Sequence, residues 1–201
     1  MLHVQINNIK ASIKVKGPNV RRFIFELGER NARVSKKEVN FFVLRDKFVY
    51  VIFYSGHINC TKLKTIWDFI EAKLYIAKLF NAGSEFYTVE TSSIDNISAS
   101  GDVLKKFEHR KWLLDRKKKR EVRFYSLHQL SKLLRKASYK SRYNPQRFPG
   151  LTTKINRISF TLFNTGKFIA VGANNVKKLS AAISILEKIV ETWIVKEEER
   201  V

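Results

Sequence analysis

Apolar and polar positions alternate along the opening residues, Val4–Val15, and that period of two predicts a strand. Gly17-Pro18 breaks it, and a helix is expected near Pro18–Leu27. Alternation returns at Val39–Leu44 and Phe48–Tyr54; Ser55-Gly56 marks a turn, and His57–Lys62 follows as a further strand. From Ile66 to about Phe80 the period lengthens to that of a helix capped by Thr65, with Ile66, Phe69, Ile70, Ala77 and Phe80 on its expected apolar side. The second half reads alike. Strands are expected near Ser93–Val103, Leu151–Ile155, Ile158–Phe163 and Lys167–Gly172. A short helix, Leu127–Ala137, is capped by Ser126, and a long one runs from Val176 to about Val195 with Leu179, Ile183, Leu186, Val190 and Ile194 as its stripe. These stripes are core and say nothing about ligands.

The two halves are copies. Asn8-Ile9-Lys10-Ala11-Ser12, then Val15, recurs as Asn96-Ile97-Ser98-Ala99-Ser100, then Val103, at an offset of 88. Ile52–Ile58 recurs as Leu162–Phe168 at an offset of 110, and the caps Thr65 and Asn175 share that offset. Three matches in one order define an internal repeat. The expected division is residues 1–82 and 83–201. The growth in offset gives the second copy about 22 extra residues, placed at about 104–124.

Composition then narrows the function. Thirty-nine Lys and Arg against 18 Asp and Glu leave a net charge of +21, which self-repulsion makes a burden on the compact state. A polyanionic partner accounts for it, and nucleic acid is the usual one. A membrane surface would want a continuous basic amphipathic helix or a lipid anchor; neither is evident, and the longest apolar run, Phe48–Tyr54, is far too short to span a bilayer. The lone Cys60 excludes an internal disulfide and a cysteine-based zinc site, and reads as a small buried residue in a reducing compartment. His3, His57, His109 and His128 show no ligand spacing. Gly166-Lys167 lacks the upstream glycine of a phosphate-binding loop. No catalytic constellation emerges, so no enzyme, metal or cofactor is expected.

The second copy carries Tyr143-Asn144-Pro145-Gln146-Arg147-Phe148-Pro149-Gly150-Leu151, then Phe163-Asn164-Thr165-Gly166-Lys167, then Val171-Gly172-Ala173. These blocks, with the asparagine blocks at Asn8 and Asn96, resemble the TATA-binding protein family over nearly the whole chain. The resemblance implies an α+β saddle: two quasi-repeats, ten antiparallel strands in a curved sheet, DNA on the concave face and four helices on the convex one. It implies that Phe148 and Phe163 wedge between base steps, a device of minor-groove proteins for which this family is itself the standard example. Lys154 and Lys167 fall where the family sets cations against phosphates, and Asn8 and Asn96 fall at the quasi-twofold centre, where an amide can donate to adenine N3 or thymine O2. Taken alone, the two phenylalanines would be core and the asparagines turn residues. His57 stands where the second copy has Lys167, so a phosphate contact there is open.

Departures from the family pattern matter as much. At the offset of 110, Glu38 stands opposite Phe148, so Phe53, the match of Phe163, lacks its wedge partner unless Phe41 or Phe42 takes over. Thr61 matches a groove-facing threonine, but its counterpart is Val171, which cannot donate. Asn144, Gln146 and Arg147 replace the Glu-x-Glu-Leu characters of the family's second repeat, whose two acids, by the resemblance, help bind transcription factor IIB. Across Lys105–Arg142 fifteen cations face three acids. The run Arg116–Arg120 within it is a solvated face, a second nucleic-acid contact or a nuclear import signal. The expected function is a transcription initiation factor, in the nucleus or at a viral transcription site, that bends A·T-rich DNA through the minor groove. It would act as a monomer on DNA and recruit transcription factors or polymerase components. Two rivals stand beside it: a module of this fold that neither recognises a TATA element nor bends DNA sharply, and a protein adaptor.

Overall fold

The computed structural model describes residues 3–31, 33–81, 87–103 and 127–198. The basic run Arg116–Arg120, the cap Ser126 and His109 lie outside them, as does the side chain of Ile194. Among the described residues there are ten strands, all paired antiparallel, and four helices, which is the expected α+β content. The chain forms two compact units, Asn8–Asn96 and Met1–Asn7 with Ile97–Val201.

The unit Asn8–Asn96 holds most of β1 (His3–Lys16), then α1 (Val20–Arg30), β2 (Val34–Lys37), β3 (Phe41–Arg45), β4 (Val49–Phe53), β5 (His57–Leu63), α2 (Ile66–Asn81) and the start of β6 (Thr88–Asp102). Its strand order is β2-β3-β4-β5-β1. The other unit takes the rest of β6, then α3 (Leu127–Lys136), β7 (Ser141–Asn144), β8 (Phe148–Ile155), β9 (Ile158–Leu162), β10 (Lys167–Ala173) and α4 (Val176–Glu198). Its order is β6-β10-β9-β8-β7, the same sequence of steps.

Alternation decides which side of each strand is closed. Phe42, Leu44, Tyr50, Ile52, Ile58 and Cys60 are buried in the first unit, and Leu151, Ile155, Ile158, Phe160, Leu162 and Phe168 in the second. Each such side chain contributes on the order of 1.5–3 kcal/mol by leaving water. Burial also pushes the Cys60 thiol up to about 12, so it stays protonated and inert.

Four details differ from expectation. α1 begins two residues after Pro18, because Asn19 sits in the left-handed region (φ 53) and turns the chain before Val20. It then runs past Gly28, whose missing side chain admits the Phe42 ring; a Cβ there would stand 2.9 Å from that ring. The short polar strands β2 (Val-Ser-Lys-Lys) and β7 (Ser-Arg-Tyr-Asn) have no alternation to announce them, and each is the outermost strand of its unit's order. On α2 the buried stripe is Ala72, Ile76 and Phe80, whereas Ile66 and Ile70 are exposed. That helix is apolar on two sides, so periodicity alone could not choose; Tyr75 stacking on Tyr50 and Phe80 meeting Phe23 did.

Candidate nucleic-acid interface

The strand side that the helices do not cover is where a ligand can reach the sheet. In the second unit that side carries Thr152 opposite Thr161 and Lys154 opposite Ser159. Beyond them Thr161 faces Ile169 and Ser159 faces Val171, with Lys167 opposite Asp102. Arg142 of β7 joins the same side opposite Thr152. Lys140, Arg142 and Lys154 line a shallow cavity of about 430 Å³ with Thr152, Ser159 and Thr161. Hydroxyls and cations are thus interleaved on a broad polar surface, and Ile169 and Val171 are its exposed apolar members.

Phe148 and Phe163 meet edge to face, with ring centroids 6.2 Å apart. Phe148 is 45% exposed, so these rings are not ordinary core. Their meeting depends on Gly150, since a Cβ there would lie 2.6 Å from the Phe148 ring and 2.8 Å from Thr161. The preceding Asn144-Pro145-Gln146-Arg147 is a tight turn, in which Asn144 Oδ1 accepts from Gln146 N–H and Asn144 O accepts from Arg147 N–H. Arg147 is exposed beside Phe148 in sequence and off the sheet pairings.

The first unit has its own aromatic pair, and the fixed offset hid it. Phe41 stands directly opposite Phe53 on β3 and β4, ring centroids 5.5 Å apart. Glu38 is not in the wedge position; it sits in the β2–β3 turn, its N–H bonded to Phe41 O and its carboxylate paired with Lys36. The cause is one residue. Three residues lie between the last paired residues of β3 and β4, Arg45 and Val49, but two between Ile155 and Ile158. Phe42 pairs with Ile52 as Leu151 pairs with Leu162, so β3 matches β8 at 109 and not 110. A one-residue slip exchanges faces. Phe41 therefore takes the place of Gly150, and Val39 that of Phe148. The neighbouring positions differ as well: Val43, Val51 and Val49 replace the hydroxyls of Thr152, Thr161 and Ser159, while Arg45, opposite Val49, keeps the cation of Lys154. Asn59 and Thr61 face Val51 and Val49, and Lys14 faces His57.

Both asparagine blocks sit beside a bulge. The β1–β5 register shifts between Ile9 and Ala11, and the β10–β6 register between Val171 and Ala173. Lys62 and Gly172, equivalent at 110, both have positive φ there, 68 and 107. Asn8 Oδ1 accepts from Lys62 N–H at 2.9 Å, which fixes the orientation of its carboxamide. Asn96 precedes the Ile97 that pairs at the second bulge. Two further residues of each block were not singled out in the sequence. Ser12 Oγ donates to Asp95 at 2.5 Å, and Ser100 Oγ donates to Asn7 Oδ1 at 3.1 Å. At an offset of 88 these are the same contact twice, with aspartate replacing asparagine once. Among the described residues no cluster of three or more His, Cys, Asp or Glu side chains is arranged to hold a metal.

Comparison with known proteins agrees with this layout. The family model described as transcription factor TFIID (or TATA-binding protein, TBP) matches residues 122–192. The TATA-box-binding protein of Pyrobaculum neutrophilum is 41% identical over 51 residues, 24% of this chain and 26% of that protein. The chain thus spans about a quarter of the length of that relative. The TATA-box-binding protein of Thermoplasma volcanium is 27% identical over 145 residues, 71% of this chain and 68% of its own length. The solved structure of Methanococcus jannaschii TBP aligns with a TM-score of 0.67 and 19% identity, covering 94% of this chain and 99% of that one. Together with the strand orders, that alignment places this chain among α+β proteins with the TATA-binding protein fold. The similarity in sequence to the TATA-binding protein family is concentrated in the second copy, where the family model's match falls.

Proposed function

We propose that this protein is a transcription initiation factor that binds A·T-rich duplex through the minor groove and bends it. In this reading residues 1–82 and 83–201 act as two repeats, the second carrying the basic insertion, and the protein works as a monomer on DNA at an intracellular site of transcription. The observation that carries it is the pair of aromatic contacts, Phe41 with Phe53 and Phe148 with Phe163, on the uncovered strand faces of the two units. Apolar wedges of this kind unstack a base step at a cost of about a few kcal/mol, recovered when the bent duplex meets more protein. Lys154, Lys167 and Arg147 supply phosphate contacts, Asn8 and Asn96 read the groove, and Thr61 and Val171 line it.

Energy-transfer measurement of the bend angle on labelled duplexes tests this. Phe148→Ala/Phe163→Ala and Phe41→Ala/Phe53→Ala should each remove a large part of the bend, and A·T-rich duplexes should bind more tightly than G·C-rich ones. A bend unaffected by either double variant removes the reading. One observation favours the non-bending alternative for the first unit: Phe41 is less exposed than Phe148. Loss of bend from the second pair alone would assign gripping without kinking to the first.

A further inference from the structure

The strongest feature unrelated to the sheet lies on the far side of α2. Trp67, Ile70 and Leu74, at i, i+3 and i+7, form an apolar ridge 78%, 39% and 64% exposed, turned away from the buried Ala72, Ile76 and Phe80. The internal repeat supplies the control. At the offset of 110 the buried residues become Ala182, Leu186 and Val190, still buried, while the ridge becomes Lys177, Ser180 and Ser184, all exposed. One helix position in one fold is therefore served by polar residues in the second copy. The apolar ridge is no requirement of the architecture, and an exposed tryptophan beside leucine and isoleucine is the composition of an interface centre.

We propose that this ridge is the docking site for an acidic amphipathic helix of a partner protein. Such docking rests on the recruiting half of the proposed function and is independent of the DNA-binding half. Helical spacing on one side suits a helix on the other, whose anchors enter between ridge residues. Charge selects the partner's sign. Both acids of α2 are already engaged: Asp68 accepts from the N–H groups of Lys64 and Thr65, and Glu71 binds Lys47. Lys73 and Lys78 flank the ridge, are exposed and form no ion pair among the described residues. A second copy of this chain would bring the same cations against them under a net charge of +21. Acids beside the partner's apolar anchors would instead be attracted.

The test uses the full chain and a synthetic helical peptide with leucines at i, i+3 and i+7 flanked by glutamates. Its controls are a scrambled peptide and one with lysine for glutamate. Binding is read by anisotropy, and contact by the Trp67 indole N–H resonance, identified by its loss in Trp67→Lys. The acidic peptide should bind and shift that resonance, the controls at least tenfold more weakly. The triple variant Trp67→Lys/Ile70→Ser/Leu74→Ser, which installs the second copy's residues, should lose binding at least tenfold with unchanged melting temperature and DNA affinity. Equal binding of the three peptides, or retained binding by the triple variant, overturns the proposal. So does a lowered melting temperature, which would mean that this chain covers its own ridge, or self-association in sedimentation that the triple variant abolishes. Loss of DNA binding with peptide binding intact would instead count only against the DNA reading.

Discussion

Asn8 shows how one side chain can serve structure and recognition together. Its oxygen accepts from Lys62 N–H at a bulge, so its exchange for alanine would disturb the strand pair as well as any base contact. Asn8→Asp separates the two, because aspartate keeps the acceptor and loses the amide donor. The melting temperature should hold within a few degrees while the preference for A·T-rich over G·C-rich duplex falls by about tenfold, the scale of 1–3 kcal/mol for a good base contact. Equal losses on both duplexes would restrict Asn8 to shaping the bulge. Gly150 is the complementary case, a residue needed for its absence of bulk. Gly150→Ala should displace the Phe148 ring and reduce the DNA bend, with the fold retained by circular dichroism. An unchanged bend would show that the ring can relax without consequence.

Among the elements, α2 is held at its start by a reciprocal cap. Thr65 Oγ1 accepts from Asp68 N–H, and Asp68 accepts in return from Thr65 N–H and, at 2.7 Å, from Lys64 N–H. The Lys64 bond is the largest cause that holds the Asp68 carboxyl below its ordinary range; desolvation opposes it, and the bonds from Thr65 and the nearby Lys47 charge add to the lowering. A depressed folded value means stability fully present above the unfolded carboxylate value, about 4, and lost as pH falls through the folded one. Asp68→Ala should cost about 1 kcal/mol at neutral pH, the usual value of a helix cap. The difference between the two proteins in thermal melts should shrink as pH falls below about 4. A gap that persists at pH 2 would show that the carboxylate is not what α2 requires.

For the whole molecule the governing quantity is charge. From Val122 through Leu186 the sequence contains no aspartate or glutamate, so the acid deficit extends well past the basic insertion into the second unit. Affinity for duplex should fall steeply with salt, and neutralising Arg116–Arg120 should flatten the log–log slope by about 0.9 for each phosphate left without its cation. An unchanged slope would assign that run to import or to protein contacts. Much of this protein is legible in the sequence itself. Alternation, caps and the 88 and 110 offsets pointed to the repeat, the inner strands and the helices, because each is written in local spacing, whereas Phe148 and Phe163 stood out only through the family resemblance of the block around them. Tertiary structure decided what spacing leaves degenerate. The pairing of Phe41 with Phe53 followed from a hairpin loop one residue longer, which no fixed offset can carry across a strand pair. The polar outermost strands β2 and β7 form because neighbours supply their hydrogen bonds, not because their side chains alternate. On α2, apolar on two sides, only packing against Tyr50 and Phe23 settled which side became core and which was left to solvent.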